Sequence, residues 1–317
     1  MAQPTLNQVH VDAILTNISV AFLQNADNFI APKVFPLIPV DKKSDVYFFY
    51  TQEDWFRDEA DDRKEGAESK GSGYNNTTDS YDCAVKAIHK DIGYQTRLNA
   101  DNPLNLDRDA TEFVTQRLML RQERQWVTDF FTTSIWGTDL TPSNLWSDFT
   151  SSDPISDIDL GKETILKNTG QEANTLVLGY QVYRQLIRHP DFRDQIKYTS
   201  PENINAELLA KILDIDRVLV SKAVYATTKE KNATPAYAFA AGKHALLCHV
   251  AERPGLLVPS AGYTFGWKGV SGGLGQNIAI SRFYLPQLKV DRIEGESAWV
   301  NKVVAKQLGY FFNGAVT

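Results

Sequence analysis

Apolar and polar positions along the 317-residue chain fall into blocks of different period. Residues 1–30 mix the two, with a short helix expected in "VDAILTNISVAFLQN". "APKVFPLIPVDKKSD" follows, and its three prolines, Pro32, Pro36 and Pro39, remove backbone donors and fix φ. This segment is expected to run extended along a surface, as an arm. "DVYFFYTQEDWF" and "YDCAVKAIHKDI" are rich in Val, Tyr, Phe and Ile and read as the strands of a hairpin over residues 45–92. Between them "DEADDRKEGAESKGSGYNN" is a run of charge, glycine and asparagine that cannot bury itself in a core, with Gly66, Gly71 and Gly73 marking a tip.

The period then changes. "DRDATEFVTQRLMLRQERQWVTDFF", residues 107–131, is free of Gly and Pro, and Ala110, Phe113, Val114, Leu118, Leu120, Val127 and Phe131 recur at helical spacing. Asp107 is the expected N-cap, with Asp109 and Glu112 suited to the positive end of the first turn. A helix of about 25 residues is roughly 38 Å long, enough for a spine on which other elements lie. Arg117, Arg121 and Arg124 fall at i, i+4 and i+7 on another stripe.

From about residue 153 the pattern is α/β. "ANTLVLG" reads as a buried strand, "YQVYRQLIRHPD" as a helix ended by Pro190, "INAELLAKILDI" as an amphipathic helix and "RVLVSKAVYAT" as a strand. "AYAFAAGKHALLCHV" and the glycine-rich "SAGYTFGWKGVSGGLGQN" lead to "IAISRFYLPQLKVDRIEG" and "SAWVNKVVAKQLGYFFNGAV", expected as strands of one final sheet.

Composition is that of an ordinary folded protein, 43% hydrophobic and 23% charged. No apolar run approaches the roughly 18 residues that cross a bilayer, so a soluble, non-secreted chain is expected. Cys83 and Cys248 stand far apart and read as free thiols. The net charge of −6 argues against a protein that coats nucleic acid through its phosphates. Residues 51–70 carry eight acids and four bases, a net −4, so most of the excess acidity sits on the hairpin.

Catalytic motifs fail on context. "GVSGG" matches a nucleophile elbow around Ser271, but a strand follows it where that motif needs a helix, and no histidine occurs after His249. His244, Cys248 and His249 are metal-capable, yet in a strand His249 points away from the other two. "DLGKET" and "GGLG" lack the spacing of phosphate and dinucleotide loops. Catalytic, cofactor and metal residues are therefore expected to be none.

The succession of arm, long hairpin, spine helix, α/β region and closing β-segment resembles the HK97-type major capsid proteins of tailed double-stranded DNA bacteriophages. "NTLVLGYQVYRQLIRHPDFRDQIKYT", "GKHALLCHVAERPGLLVPSAGYTFGW" and "DRIEGESAWVNKVV" are similar to phrases of that family. The resemblance implies an α+β fold with an N-terminal arm over 1–42, an extended hairpin or E-loop over 43–92, and a peripheral domain over 93–152 with its spine helix at 107–136. It further implies a mixed α/β axial domain over 153–280, with 281–317 closing the peripheral sheet. Because the chain begins almost at the arm, any scaffold is expected to be a separate protein.

The function implied is a virion shell protein without enzymatic activity, assembled in the host bacterial cytoplasm as pentamers and hexamers of itself. Separate scaffolding, portal and decoration proteins would be its partners, and packaged DNA would be contacted weakly and non-specifically. Candidate inter-subunit contacts are Trp55, Phe56 and Arg57, since aromatic and arginine side chains dominate interface hot spots. Asp61, Asp62, Arg63 and Lys64 join them at the hairpin tip, which is expected to meet a neighbour or solvent and not its own subunit. Arg117, Arg121 and Arg124 are candidates for inter-subunit or inner-surface ion pairs. An encapsulin-type cargo shell and a serine hydrolase using Ser271 are the alternatives.

Overall fold

The change of period near residue 106 marks the helix that organises the molecule. In a computed structural model, which describes residues 24–50, 56–66, 68–100, 105–196, 204–228, 234–255, 258–270 and 278–317, this helix (α3) runs Leu106–Phe130. Asn105, not Asp107, is its N-cap, accepting from the Arg108 N–H, so Asp107 is freed for ion pairing. The helix stops at Phe130, six residues short of the expected 136: Phe131 leaves helical geometry and Ser134 takes a positive φ of 67°. The buried stripe is Ala110, Val114, Leu118, Gln122, Glu123, Trp126 and Phe130, whereas Phe113 is exposed.

Before it in the chain come α1 (Ala31–Val34), β1 (Leu37–Val40), β2 (Ser44–Tyr50), β3 (Asn76–Asp82), β4 (Val85–Gly93) and α2 (Tyr94–Leu98). After it come β5 (Thr138–Leu140), α4 (Pro154–Thr169), β6 (Thr175–Gly179), α5 (Tyr180–Leu186), α6 (Pro190–Ile196), α7 (Ala206–Ile212) and β7 (Arg217–Ser221). The remaining strands are β8 (Val224–Ala226), β9 (Tyr237–Phe239), β10 (Ala245–Cys248), β11 (Gly262–Trp267), β12 (Ala279–Leu285), β13 (Val290–Val303) and β14 (Gly309–Phe312).

Two five-stranded sheets carry the structure. In the first, called axial below after the expectation for residues 153–280 (the other is called peripheral), the order is β5-β14-β10-β6-β7, with the β6–β7 and β14–β5 pairs parallel. Strands β6, β10 and β14 are buried throughout, as their uninterrupted apolar runs require. Helix α4, capped by Asp153 and ended by Gly170 at φ 65°, lays Gly161 against Leu247 and Tyr310. In the peripheral sheet the long β13 pairs with β4 and β12, and further along with β11, which in turn holds β1.

Helix α3 bridges the two sheets. Its first half lies on β13, where Gly295 lets Val114 and Leu118 approach the strand. Its last turns, Trp126 and Phe130, belong to the main core with the axial sheet.

Three further expectations are corrected. The segment after residue 28 does not lie outside its own subunit: Phe29, Ile30, Ala31, Val34 and Phe35 are all buried, and β1 is a strand of the peripheral sheet. Residues 1–23 of the expected arm lie outside the described residues. "YDCAVKAIHKDI" is not one strand; it breaks at Cys83 and Ala84, where β3 leaves the hairpin and β4 joins β13. Finally, the last residues do not close the peripheral sheet, because β14 sits between β5 and β10 in the axial one. Periodicity assigns a strand but not its partner, and Tyr310, Phe311 and Phe312 are buried where that sheet needs a central strand.

Candidate assembly surface

Strands β2 and β3 form a two-stranded ribbon in which Ser44 faces Asp82 and Tyr50 faces Asn76. Among the described residues, its base alone has support from its own subunit. Tyr81 stacks on Phe265 with ring centroids 4.8 Å apart, Tyr47 lies 5.4 Å from the same ring, and the Tyr47 hydroxyl donates to Asp79 at 2.9 Å. Cys83 completes this small cluster with Tyr263 and Ala298. Burial pushes the Cys83 thiol up to about 11 and Cys248 up to about 12, so both are inert at neutral pH.

Val46 and Phe48 point the other way and are 54% and 65% exposed. An isolated two-stranded ribbon with an apolar outer face is at best marginally stable in water. The signal was available: Val46, Tyr47 and Phe48 are apolar in succession, whereas a strand with one solvated face alternates.

Beyond the paired strands the acidic segment closes on itself. Lys70 pairs with Asp61 at 3.0 Å, the Ser72 hydroxyl donates to Glu59, and Arg57 lies 3.8 Å from Glu59. The Asp61–Lys70 and Glu59–Ser72 pairs are symmetric about Glu65 and Gly66, and Gly66 has the positive φ of 79° that the turn requires. Part of the tip's charge is therefore balanced within the ribbon. Asp62, Arg63 and Lys64 are exposed. Phe56, ahead of the tip and expected to anchor on a neighbour, is exposed, and its ring edge lies 3.6 Å from where a Cβ on Gly170 of its own subunit would stand, at the end of α4. Trp55 and Ser271 lie outside the described residues.

The arginine stripe does not join the ribbon. Arg117, Arg121 and Arg124 are exposed on α3, each engaged within its own chain: Arg117 over Phe113 at 5.0 Å, Arg121 donating to Gln125 at 3.0 Å and Arg124 over Tyr225 at 4.2 Å.

A second apolar surface, missed in the sequence, lies at the far end of the peripheral sheet. Among the described strands β12 pairs on one side only, and Ile280, Phe283, Tyr284 and the turn residue Leu288 are exposed. Tyr94 and Leu98 of α2 are exposed nearby, where the Tyr94 N–H donates to Lys289. Charges behind this surface are paired off. Arg97 forks onto Asp107 at 2.6 and 3.1 Å and reaches Asp291 at 3.0 Å, and Arg282 lies 3.1 and 3.3 Å from the same two carboxylates.

Alongside, Arg292 forks onto its cross-strand partner Asp91 at 2.7 and 2.9 Å. The neighbouring guanidinium holds the carboxyls of Asp91 and Asp107 below the usual range. A lowered carboxyl contributes stability above the unfolded value and loses it as pH falls through the folded one. Asp91→Asn should therefore be less stable than the parent at neutral pH and lose less on acidification below 3.8, as read from urea midpoints at the two pH values.

Chemistry offers little else. Ser152 Oγ lies 3.0 Å from His189 Nε2, and His189 Nδ1 lies 3.3 Å from Asp191, a triad-like set that spacing did not reveal. The Ser152 hydroxyl donates to the Asp148 carbonyl at 2.6 Å, however, and the Asp191 N–H donates to His189 Nδ1 at 3.4 Å, so in this arrangement His189 Nε2 is the donor to Ser152. His244 accepts from Gly314 N–H at 3.0 Å and His249 donates to the Glu172 carbonyl at 2.7 Å. Among the described residues no three His, Cys, Asp or Glu side chains converge as a metal site, and no helix is long and apolar enough to cross a membrane.

Comparison with known proteins agrees with this architecture. No protein-family model matches the chain. The major capsid protein of Burkholderia phage BcepMu is 27% identical over 270 residues, which cover 82% of this chain and 84% of the relative. Among solved structures, a phage-related protein of Bordetella bronchiseptica RB50 superposes with a TM-score of 0.70 at 20% identity, over 92% of this chain and 93% of the other. The capsid of cyanophage P-SCSP1u gives a TM-score of 0.64 at 8% identity, over 98% and 94%. The encapsulin SrpI of Synechococcus elongatus gives 0.57 at 12% identity, over 100% and 96%. The chain has the HK97-type fold of phage capsid proteins, and over most of its length its sequence is similar to a phage major capsid protein.

Proposed function

We propose that this chain is the major capsid protein of a tailed phage, which assembles with copies of itself into pentamers and hexamers and so builds the icosahedral head around the genome. The observation that carries the reading is the ribbon β2–β3: its base is anchored, while its outward face presents Val46 and Phe48 to water. Such a face is covered when a neighbouring subunit receives it, and head-to-tail contacts of this kind close into rings. Phe56, Arg57 and the tip residues Asp61, Asp62, Arg63 and Lys64 would then lie at or beside that contact, and Trp55, the residue before Phe56, is proposed with them. The Arg117, Arg121 and Arg124 stripe would face a neighbour or the interior, touching DNA only weakly and non-specifically.

In this reading the work of the protein is the geometry of its contacts. Scaffolding, portal and decoration proteins would be separate chains, assembly would take place in the host cytoplasm, and the finished product is the virion. Deleting residues 58–76 is expected to leave a folded chain that makes no stable shells, scored by electron microscopy and by circular dichroism. Phe48→Ser with the loop intact should weaken shells in the same direction. Heat-resistant shells of normal size from both variants would overturn the reading. DNA within the native particles, in place of cargo protein, would separate a phage head from an encapsulin.

A further inference from the structure

Among the fully buried side chains of the described residues Glu123 is the one carboxylate, and nothing in the assembly reading uses it. It sits on α3 at the point where three parts of the subunit meet. Its Oε2 accepts from the Ile30 and Ala31 N–H groups at 2.9 and 2.8 Å, and its Oε1 accepts from the Ser221 hydroxyl of β7 at 2.7 Å. The strap that it grips, residues 24–35, is stitched on both sides. The Gln24 side chain bonds Val224 N–H and C=O at 2.9 and 2.6 Å, and Gln116 of α3 donates to the Gln24 carbonyl at 2.8 Å. Arg217 donates to the Lys33 and Val34 carbonyls at 3.3 and 3.1 Å, and Lys222 N–H donates to the Asn28 carbonyl at 3.2 Å.

We propose that Glu123 is a conformational latch, a single carboxylate that fixes the strap, the spine helix and the axial sheet in one arrangement and whose charge state sets how firmly the strap is held. A glutamine could keep the same three partners without a buried charge: its carbonyl would accept from both N–H groups and, with the Ser221 hydroxyl turned round to accept, its amide would donate to Ser221. What a glutamate adds is therefore its ionisation. The charged groups around it are few. Lys33 of the strap favours the ionised form but is itself paired with Asp27 at 3.0 Å. On β7 the Arg217 guanidinium is turned to backbone carbonyls, and on α3 Arg124 lies over Tyr225.

Burial raises the Glu123 carboxyl above its ordinary 4.5, against the pull of its three hydrogen bonds and of Lys33. A raised carboxyl contributes stability that is fully present below the unfolded value and is lost as pH rises through the folded one. The strap is accordingly held tightest in acid and more loosely toward neutral pH.

Amide hydrogen exchange on the purified chain, corrected for intrinsic rates across a pH series, tests this without requiring shells, so the outcome is separate from that of the assembly reading. In the parent protein, protection of Ile30 and Ala31 should fall at least several-fold as pH rises from the acid side, while β10 amides stay constant. Glu123→Gln should give high protection with no such dependence, and Ser221→Ala should move the fall to higher pH by removing a bond that favours the charge. Glu123→Ala, where it folds, should lose strap protection at every pH. The same pH profile in the parent and in Glu123→Gln would overturn the latch, as would a parent strap whose protection does not change with pH.

Discussion

Replacing Trp126 with alanine will lower the unfolding free energy by about 3–5 kcal/mol, among the largest losses a single core truncation produces. Trp126 is completely buried, and its ring centroid lies 6.0 Å from Phe35, 5.3 Å from Phe130 and 5.3 Å from Phe131. Those rings belong to the strap and to the end of the spine, so the cavity opens where the two are joined. Collapse around it is restricted, because Phe35 also packs edge-on to Phe130 at 4.7 Å and Trp136 is fixed by donating its indole N–H to the Phe130 carbonyl at 2.7 Å. Trp126→Phe provides the control. The Trp126 indole N–H is buried without a hydrogen-bond partner among the described residues, an arrangement that offsets part of what burial contributes. Phenylalanine removes the orphan donor and keeps most of the ring, so it should retain well over half of the stability that alanine loses. Urea denaturation of the two variants measures this directly, and an alanine variant within about 1 kcal/mol of the parent would refute the account.

Gly295→Val will have an effect of similar size for the opposite reason, overpacking. A Cβ at Gly295 would run into Val114 Cγ1 and stand 2.9 Å from Leu118 Cδ1. Neither neighbour can retreat, since both lie on the buried face of a 25-residue helix whose far end is locked in the main core. The helix must therefore lift from β13, at a cost of about 3 kcal/mol or somewhat more. Val114→Ala added to Gly295→Val should recover part of the loss, because the removed methyls include the one that clashes. Under the assembly reading the lifted helix also tilts the peripheral sheet against the axial one, so shells from Gly295→Val should be fewer and misshapen in micrographs even where the chain still folds.

The acidic tip illustrates how far composition reaches. Its eight acids against four bases, and its glycines, marked it as a segment without a core, and the described part is exposed apart from the half-buried Glu59, with its apex at Gly66. Composition could not reveal that Asp61 meets Lys70, because that pairing depends on the register beyond β2 and β3. Nor could it reveal that Phe56 reaches Gly170, a residue more than a hundred positions away. The outward apolar face of Val46 and Phe48 was legible as a failure of alternation. The β12 surface was not, since "AISRFYL" reads as any half-buried strand until the count of its partners is known.

Local chemistry along the chain was enough to place the spine helix and the α/β grammar after residue 153. Helical period, caps and uninterrupted apolar runs act within a few residues of one another, and no distant contact is needed to read them. Partner choice was decided in three dimensions. Whether residues 29–35 lie on a surface or in the core depends on Glu123 and Trp126, about ninety positions away, offering two hydrogen-bond acceptor contacts and a ring. Whether "GYFF" closes the peripheral or the axial sheet depends on which edge is still unpaired when it arrives. Side-chain pattern states that a face must be buried; only the packed molecule states against what.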